Sequence, residues 1–274
     1  MKKLLLLLLI FTGTTATYGQ LSLAPTAVYL DKNGIGNLFV TNNTSTPQEI
    51  TVNFQFGYSD QDENGVLIMR YGDTMNARLF GLDQYIKAFP RTFILPPKQQ
   101  QIIRLQARLP KNLPPGTLFT RIKVGSSGQV SDVGTEQTDG GVATRINLRF
   151  EQVIVAFYKN GNVNTSIAVD KVDHRYENNL LTFDAFYRNT SNSPYLGKVQ
   201  VILKSPDGKV LSTQNQTVAM YFSGKRRFSF NFPEKLASGR YDIEFKFETS
   251  RNDIPAEDLV QGQPYSYRTS FVIK

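Results

Sequence analysis

The stretch RINLRFEQVIVAFYK, residues 145–159, decides how this chain is read. Ile146, Leu148 and Phe150 alternate with polar residues, and a period of two is the mark of a half-buried strand. A Gly/Ser-rich segment, GSSGQVSDVGTEQTDGG (residues 125–141), precedes it. A loop of that composition before a long strand points to a sheet edge left unfinished within the fold, and it raises the question of what the apolar row faces.

Working outward from it, nearly every segment reads as strand. SLAPTAVYL, GNLFVTN, EITVNFQF, RTFILPP, QQIIRLQARL and TLFTRIKV are short, β-branched or aromatic, and bounded by Gly, Pro or Asn. SIAVDKV, NLLTFDAFY, GKVQVILK, KVLSTQ, RRFSFNF, GRYDIEFKF and YSYRTSFVI repeat the style in the second half. In SPDGK (205–209), Asp207-Gly208 suits the positive-φ positions of a hairpin turn. Seven strands in each half predict an all-β protein of two immunoglobulin-like sandwiches set at an angle with a cleft between them. The domains should be 20–160 and 161–274, divided near YKNGNVN (158–164), where apolar pattern gives way to Asn and Gly. Residues 58–88 are the least strand-like, and DTMNARLFGLDQYIKAF has room for one helical turn.

The N-terminus, MKKLLLLLLIFTGTTATYGQ, has a basic start, a leucine core and a cleavage-like Thr17-Tyr18-Gly19. It reads as a secretory signal peptide over residues 1–19, too short to remain as a membrane span. The expected location is the periplasm of a bacterium. The chain carries 31 basic and 23 acidic residues, net +8. The excess is spread along the chain, without the concentrated block that nucleic-acid binding uses. The nearest thing, Lys225-Arg226-Arg227, follows Ser223-Gly224 and reads as a solvated turn. With no cysteine, an exported chain depends on core burial, which its 19 Phe and 13 Tyr can supply. Five Asn-x-Ser/Thr sequons, starting at Asn42, Asn43, Asn164, Asn189 and Asn215, read as surface loops in a bacterium.

Catalysis finds little footing. The only histidine, His174, lies in what reads as a polar turn, VDKVDHRYENN, with no nucleophile elbow nearby, and Cys/His metal sites are excluded by count. DQDENG (60–65) copies the start of a calcium loop, but its twelfth position is Tyr71 where a bidentate carboxylate is needed. A hairpin loop is the better reading. No enzyme activity, cofactor or metal is expected.

The first half resembles the periplasmic chaperones of the chaperone–usher pilus pathway. The likeness covers residues 21–160 and rests on LSLAPTAVYLD, GNLFVTNNTSTPQEITVNFQF, FPRTFILPPKQQQIIRL, LPKNLPPGTLFTRIKV and RINLRFEQVIVAFYKN in that order. The second half shares only FYRNTSNSPYLGKVQV. The resemblance implies that the seventh strand is lent to a pilus-type subunit whose own sandwich lacks a strand. The donor positions then fall on Ile146, Leu148 and Phe150. It also implies a basic pair in the cleft that holds the subunit's terminal carboxylate, yet those positions are Ala27 and Val155. Arg145, Arg149, Lys159 and Arg104 are the candidate substitute anchors, and Lys159 and Lys32 lie near those positions in sequence. The implied partners are pilus-type subunits, an outer-membrane usher and a second copy in a self-capping dimer. From another class stands a structural surface component, a pilus or adhesin subunit of two such domains.

Overall fold

A computed structural model describes residues 21–128 and 149–274. The signal-peptide reading, Arg145, Ile146 and Leu148 therefore lie outside the described residues.

The first sandwich pairs a sheet of β1 (Leu21–Ala24), β3 (Ile35–Asn42), β9 (Gln100–Ala107) and β7 (Ile86–Phe89) with a second sheet. The second is ordered β2 (Ala27–Tyr29), β11 (Arg149–Asn160), β10 (Gly116–Gly128), β4 (Gln48–Gln55) and β8 (Thr92–Leu95). This is the order of an immunoglobulin constant-type sandwich with its first and fourth strands each divided between the sheets. The divisions fall at Pro25 and at Pro90. Proline has no N–H for the ladder, so a strand that meets one leaves its sheet. β11 is thus the seventh strand position of this sandwich, as expected.

Period-two burial is plain in β9, where Ile103, Leu105 and Ala107 are buried and Ile102 and Arg104 exposed. With Leu38 and Val40 of β3, Ile50 and Val52 of β4 and Ile122 and Val124 of β10 they form one apolar core. Each such side chain gains about 1.5–3 kcal/mol on burial.

The second sandwich holds β12 (Ile167–Glu177), β13 (Leu180–Asn189) and β16 (Gly224–Asn231) in one sheet. The other has β15 (Val210–Met220), β14 (Tyr195–Lys204), β17 (Gly239–Glu248) and β18 (Tyr265–Ile273). The turn at 205–209 forms as read: Ser205 N–H donates to the Lys209 carbonyl at 2.8 Å, and Gly208 adopts φ +82°.

Residues 57–81 hold more structure than the sequence pattern shows. β5 (Gly57–Gln61) and β6 (Leu67–Tyr71) form a separate two-stranded hairpin, followed by α1 (Thr74–Phe80). In its turn Asp62 accepts from Asn64 N–H at 2.9 Å and Val66 N–H at 2.8 Å. Asp60 is engaged by Arg70 at 2.8 Å, so DQDENG is a hairpin in which both aspartates are already engaged. The helix is longer than the expected single turn because Asp73 caps it, accepting from Asn76 N–H. Among the described residues no helix is long and apolar enough to cross a membrane.

Candidate functional site

β11 is paired along Arg149–Asn160 with β10 on one side. On its other side β2 covers only Val155–Phe157, in parallel register. Among the described residues no strand pairs with that edge from Arg149 to Ile154, although the Gln152 amide donates to the Leu21 carbonyl at 2.9 Å. Ile154, Ala156 and Tyr158 face the core of the first sandwich. Strand alternation puts Phe150 on the same face, but past the end of that core, where it is 43% exposed. An unpaired strand edge carrying an exposed aromatic residue is a surface that another strand can extend.

The two positions where the resemblance expects bases are neighbours: Ala27 pairs with Val155 across β2 and β11. The same cross-strand row continues to Arg121 of β10, which lies opposite Val155. A base therefore occupies the row, one strand further over, about 5 Å from Val155 at ordinary strand spacing. Arg121 is 9% exposed. Its Nε donates to the Gly57 carbonyl at 2.9 Å, and its Nη2 donates to the Tyr221 hydroxyl at 3.1 Å. No carboxylate of the described residues lies within 4 Å of it. A buried guanidinium with only neutral acceptors keeps its charge uncompensated and is ready for an anion.

Around it lies an aromatic cluster that joins the two sandwiches. Phe56, Tyr58, Phe119 and Phe157 come from the first half and Tyr221 from the second, with Tyr29 and Phe222 against them. Phe119 and Tyr221 have ring centroids 4.7 Å apart, and Tyr29 stacks on Phe157 at 5.1 Å. Burial pushes the Tyr29 and Tyr221 hydroxyls well above the usual phenol range, so both stay neutral donors. The Tyr29 hydroxyl has no hydrogen-bond partner among the described residues. Beside the cluster, a cleft of about 420 Å³ is lined by Tyr58, Asn76, Phe80, Asn192, Tyr221 and Phe222, among others.

The substitutes named from sequence are placed elsewhere. Arg149 lies six residues before Val155, about 20 Å along the strand, with its guanidinium over Gly125. Arg104 is exposed on the opposite sheet. Lys159 donates to the Glu257 carbonyl at 2.9 Å. Sequence reasoning passed over Arg121, one of two bases, with Lys123, in the otherwise apolar or hydroxylic run TLFTRIKV.

The run Lys225-Arg226-Arg227 is a correction: it lies in β16, not in a solvated turn. Asp184 of β13 stands opposite Arg227 and accepts from its Nε and Nη2, each at 2.7 Å. Lys225 lies 3.8 Å from the same carboxylate. That charge offsets two of the three bases, while Arg226, on the other face of the strand, has its Nε buried without a hydrogen-bond partner among the described residues. The Arg227 hydrogen bond holds the Asp184 carboxyl below its ordinary value of 3.8. A depressed carboxyl stabilises the fold above the unfolded-state value and loses this as pH falls through the folded one. Asp184→Asn should therefore cost about 1–2 kcal/mol at neutral pH. Urea melts should show the gap to wild type closing below pH 3.8; a gap that persists in acid would mean the pair contributes nothing electrostatic. His174 lies in β12, exposed, with its ring 4.8 Å from that of Phe271.

No family model and no curated protein matches the sequence. Solved structures similar to it include the YadV chaperone, at 12% identity and a TM-score of 0.49, covering 92% of this chain and 100% of that one. Each is a chaperone. The Escherichia coli chaperone DraB is similar at 14% identity and a TM-score of 0.41, with 93% and 97% covered. The Salmonella enterica SafB chaperone, in complex with SafA pilin, gives 13% and 0.42, with 91% and 96% covered. All three scores fall below 0.5, and the functional reading below rests on this chain's own geometry.

Proposed function

We propose that this protein is a periplasmic chaperone, or a repurposed relative of one, that binds pilus-type subunits by lending β11 to their incomplete sandwiches. It works by binding alone, without cofactor or bond-making chemistry. Its domains are 20–160 and 161–274, with the partner's strand held at the first and its end in the cleft. The observation that carries this is the β11 edge: backbone donors and acceptors from Arg149 to Ile154 without a partner strand among the described residues, and Phe150 exposed beside them. Pairing there satisfies the partner's own unpaired backbone while Phe150, with Leu148 and Ile146 before it in sequence, enters its apolar groove.

Arg121 supplies the base that Ala27 and Val155 lack. A terminal carboxylate entering the row would receive charge-assisted hydrogen bonds from Arg121, with the Tyr29 hydroxyl as a further neutral donor in the same cluster. Arg121→Gln, which keeps an amide donor, is expected to weaken the complex at least about tenfold and to flatten its salt dependence. The same variant should bind a partner with an amidated C-terminus no worse than wild type does. If Arg121→Gln discriminates carboxylate from amide as strongly as wild type, the anchor is elsewhere.

The reading as a whole is tested by recovering the tagged protein from periplasm. A small exported sandwich subunit held at one-to-one stoichiometry supports it. A partnerless monomer, or a dimer of this chain alone, favours a structural surface component instead.

A further inference from the structure

The hairpin formed by β5 and β6 departs from the sandwich and carries a row of apolar side chains that none of the described residues covers. Leu67, Met69 and Tyr71 alternate along one face of β6 and are 60%, 39% and 36% exposed, with Val66 at 58% beside them. The outer backbone edge of β6 has no strand partner among the described residues. The hairpin is nevertheless fixed at both ends. At its base a Cβ on Gly57 would stand 2.5 Å from the Tyr71 ring, so the missing side chain is what seats Tyr71. At its tip Gln61 Oε1 accepts from Arg227 N–H at 2.7 Å, and the Glu63 carbonyl accepts from Lys225 Nζ at 2.9 Å. A fixed, exposed apolar row differs from a frayed loop, because its solvent exposure is imposed by the fold.

What covers it follows from where Tyr71 stands. Lys123 Nζ lies 5.8 Å from the centre of the Tyr71 ring and 3.0 Å from Glu151 of β11. Lys123 is itself the cross-strand partner of Val153, which is 40% exposed on that edge of β11. The surface is therefore continuous from the open edge of β11, through Val153 and Lys123, to Tyr71, Met69 and Leu67. We propose that this hairpin face is a second contact surface for the same strand-adding subunit, which rests its apolar outer face there while pairing with β11. The inference rests on the function proposed above.

The test uses the full chain with a photo-crosslinking benzoylphenylalanine placed at Leu67 or, separately, at Phe150, in periplasm. One exported subunit should be captured from both positions. Leu67 yielding a second copy of this chain, a different protein or nothing, while Phe150 yields the subunit, overturns the hairpin's role and leaves the β11 reading standing. Capture at neither position removes both. With the subunit so identified and purified, Leu67→Asp/Met69→Asp should keep the wild-type melting temperature and weaken the complex about tenfold, chiefly through faster dissociation. Unchanged affinity in that variant overturns the proposal, and so does a loss that only tracks a lowered melting temperature. Val66→Asp, at the hairpin's turn, serves as the second variant should the pair fail to fold, with the same expectations.

Discussion

Phe119→Ala should lower the stability of the whole molecule by about 3–5 kcal/mol, the range for removing a fully buried phenylalanine. Phe119 is 1% exposed and its ring lies 5.1 Å from Phe56, 4.7 Å from Tyr221 and 6.2 Å from Phe222. Two of those three partners belong to the second half of the chain, so the cavity would open between the sandwiches, where it can be partly relieved by their separation. The expected signature in guanidinium melts is therefore double: a lower midpoint, and a single transition broadened or split into two. A loss under about 1 kcal/mol would show that neighbouring rings close over the gap. A full loss with one sharp transition would show that the cluster does not couple the halves.

Phe150→Arg should leave folding untouched and remove partner capture. The residue is 43% exposed and contributes to no core cluster of the first sandwich, so a charge there costs the free protein little. In a subunit's apolar groove the same guanidinium would be buried without a counter-charge. Loss of the phenylalanine's transfer energy alone, about 1.5–3 kcal/mol, is roughly a ten- to hundredfold weakening, and the buried charge adds to it. Titration calorimetry against the recovered subunit, paired with a thermal melt of the variant, separates the two possible losses. A variant that unfolds places Phe150 in this protein's own core, and one that binds normally removes it from the donor row.

How far the sequence could be read follows from what each residue buries. The strands were legible because Ile103, Leu105 and their counterparts alternate with exposed neighbours, and that alternation is written by the core itself. The halving of the first and fourth strands was not, since Pro25 and Pro90 mark a break without saying that the chain joins the other sheet. The β5–β6 hairpin escaped notice for the opposite reason to the strands: β5 buries Tyr58, but Leu67, Met69 and Tyr71 of β6 stay in solvent, so no core-facing row is written along that strand. Arg121 was invisible because its cover is distant. Tyr221, the hydroxyl it donates to, is 100 residues away in sequence, and a base in a strand, with Lys123 two residues on, reads as a solvent-facing position. The basic run in β16 misled in the same way, since Asp184 lies on another strand.

The reach of the hairpin tip to Arg227 has a consequence for how such a chain can be recombined. The outer edge of β16 has no strand partner among the described residues; it is met by side chains, Gln61 of the other half at the Arg227 N–H and Gln214 of its own sandwich at the Ser229 carbonyl. A second half grafted onto a foreign first half would lose the Gln61 contact and leave the Arg227 part of that edge open to another chain. The hairpin is thus the piece of the first half that a graft of the second must keep for this edge to stay as it is.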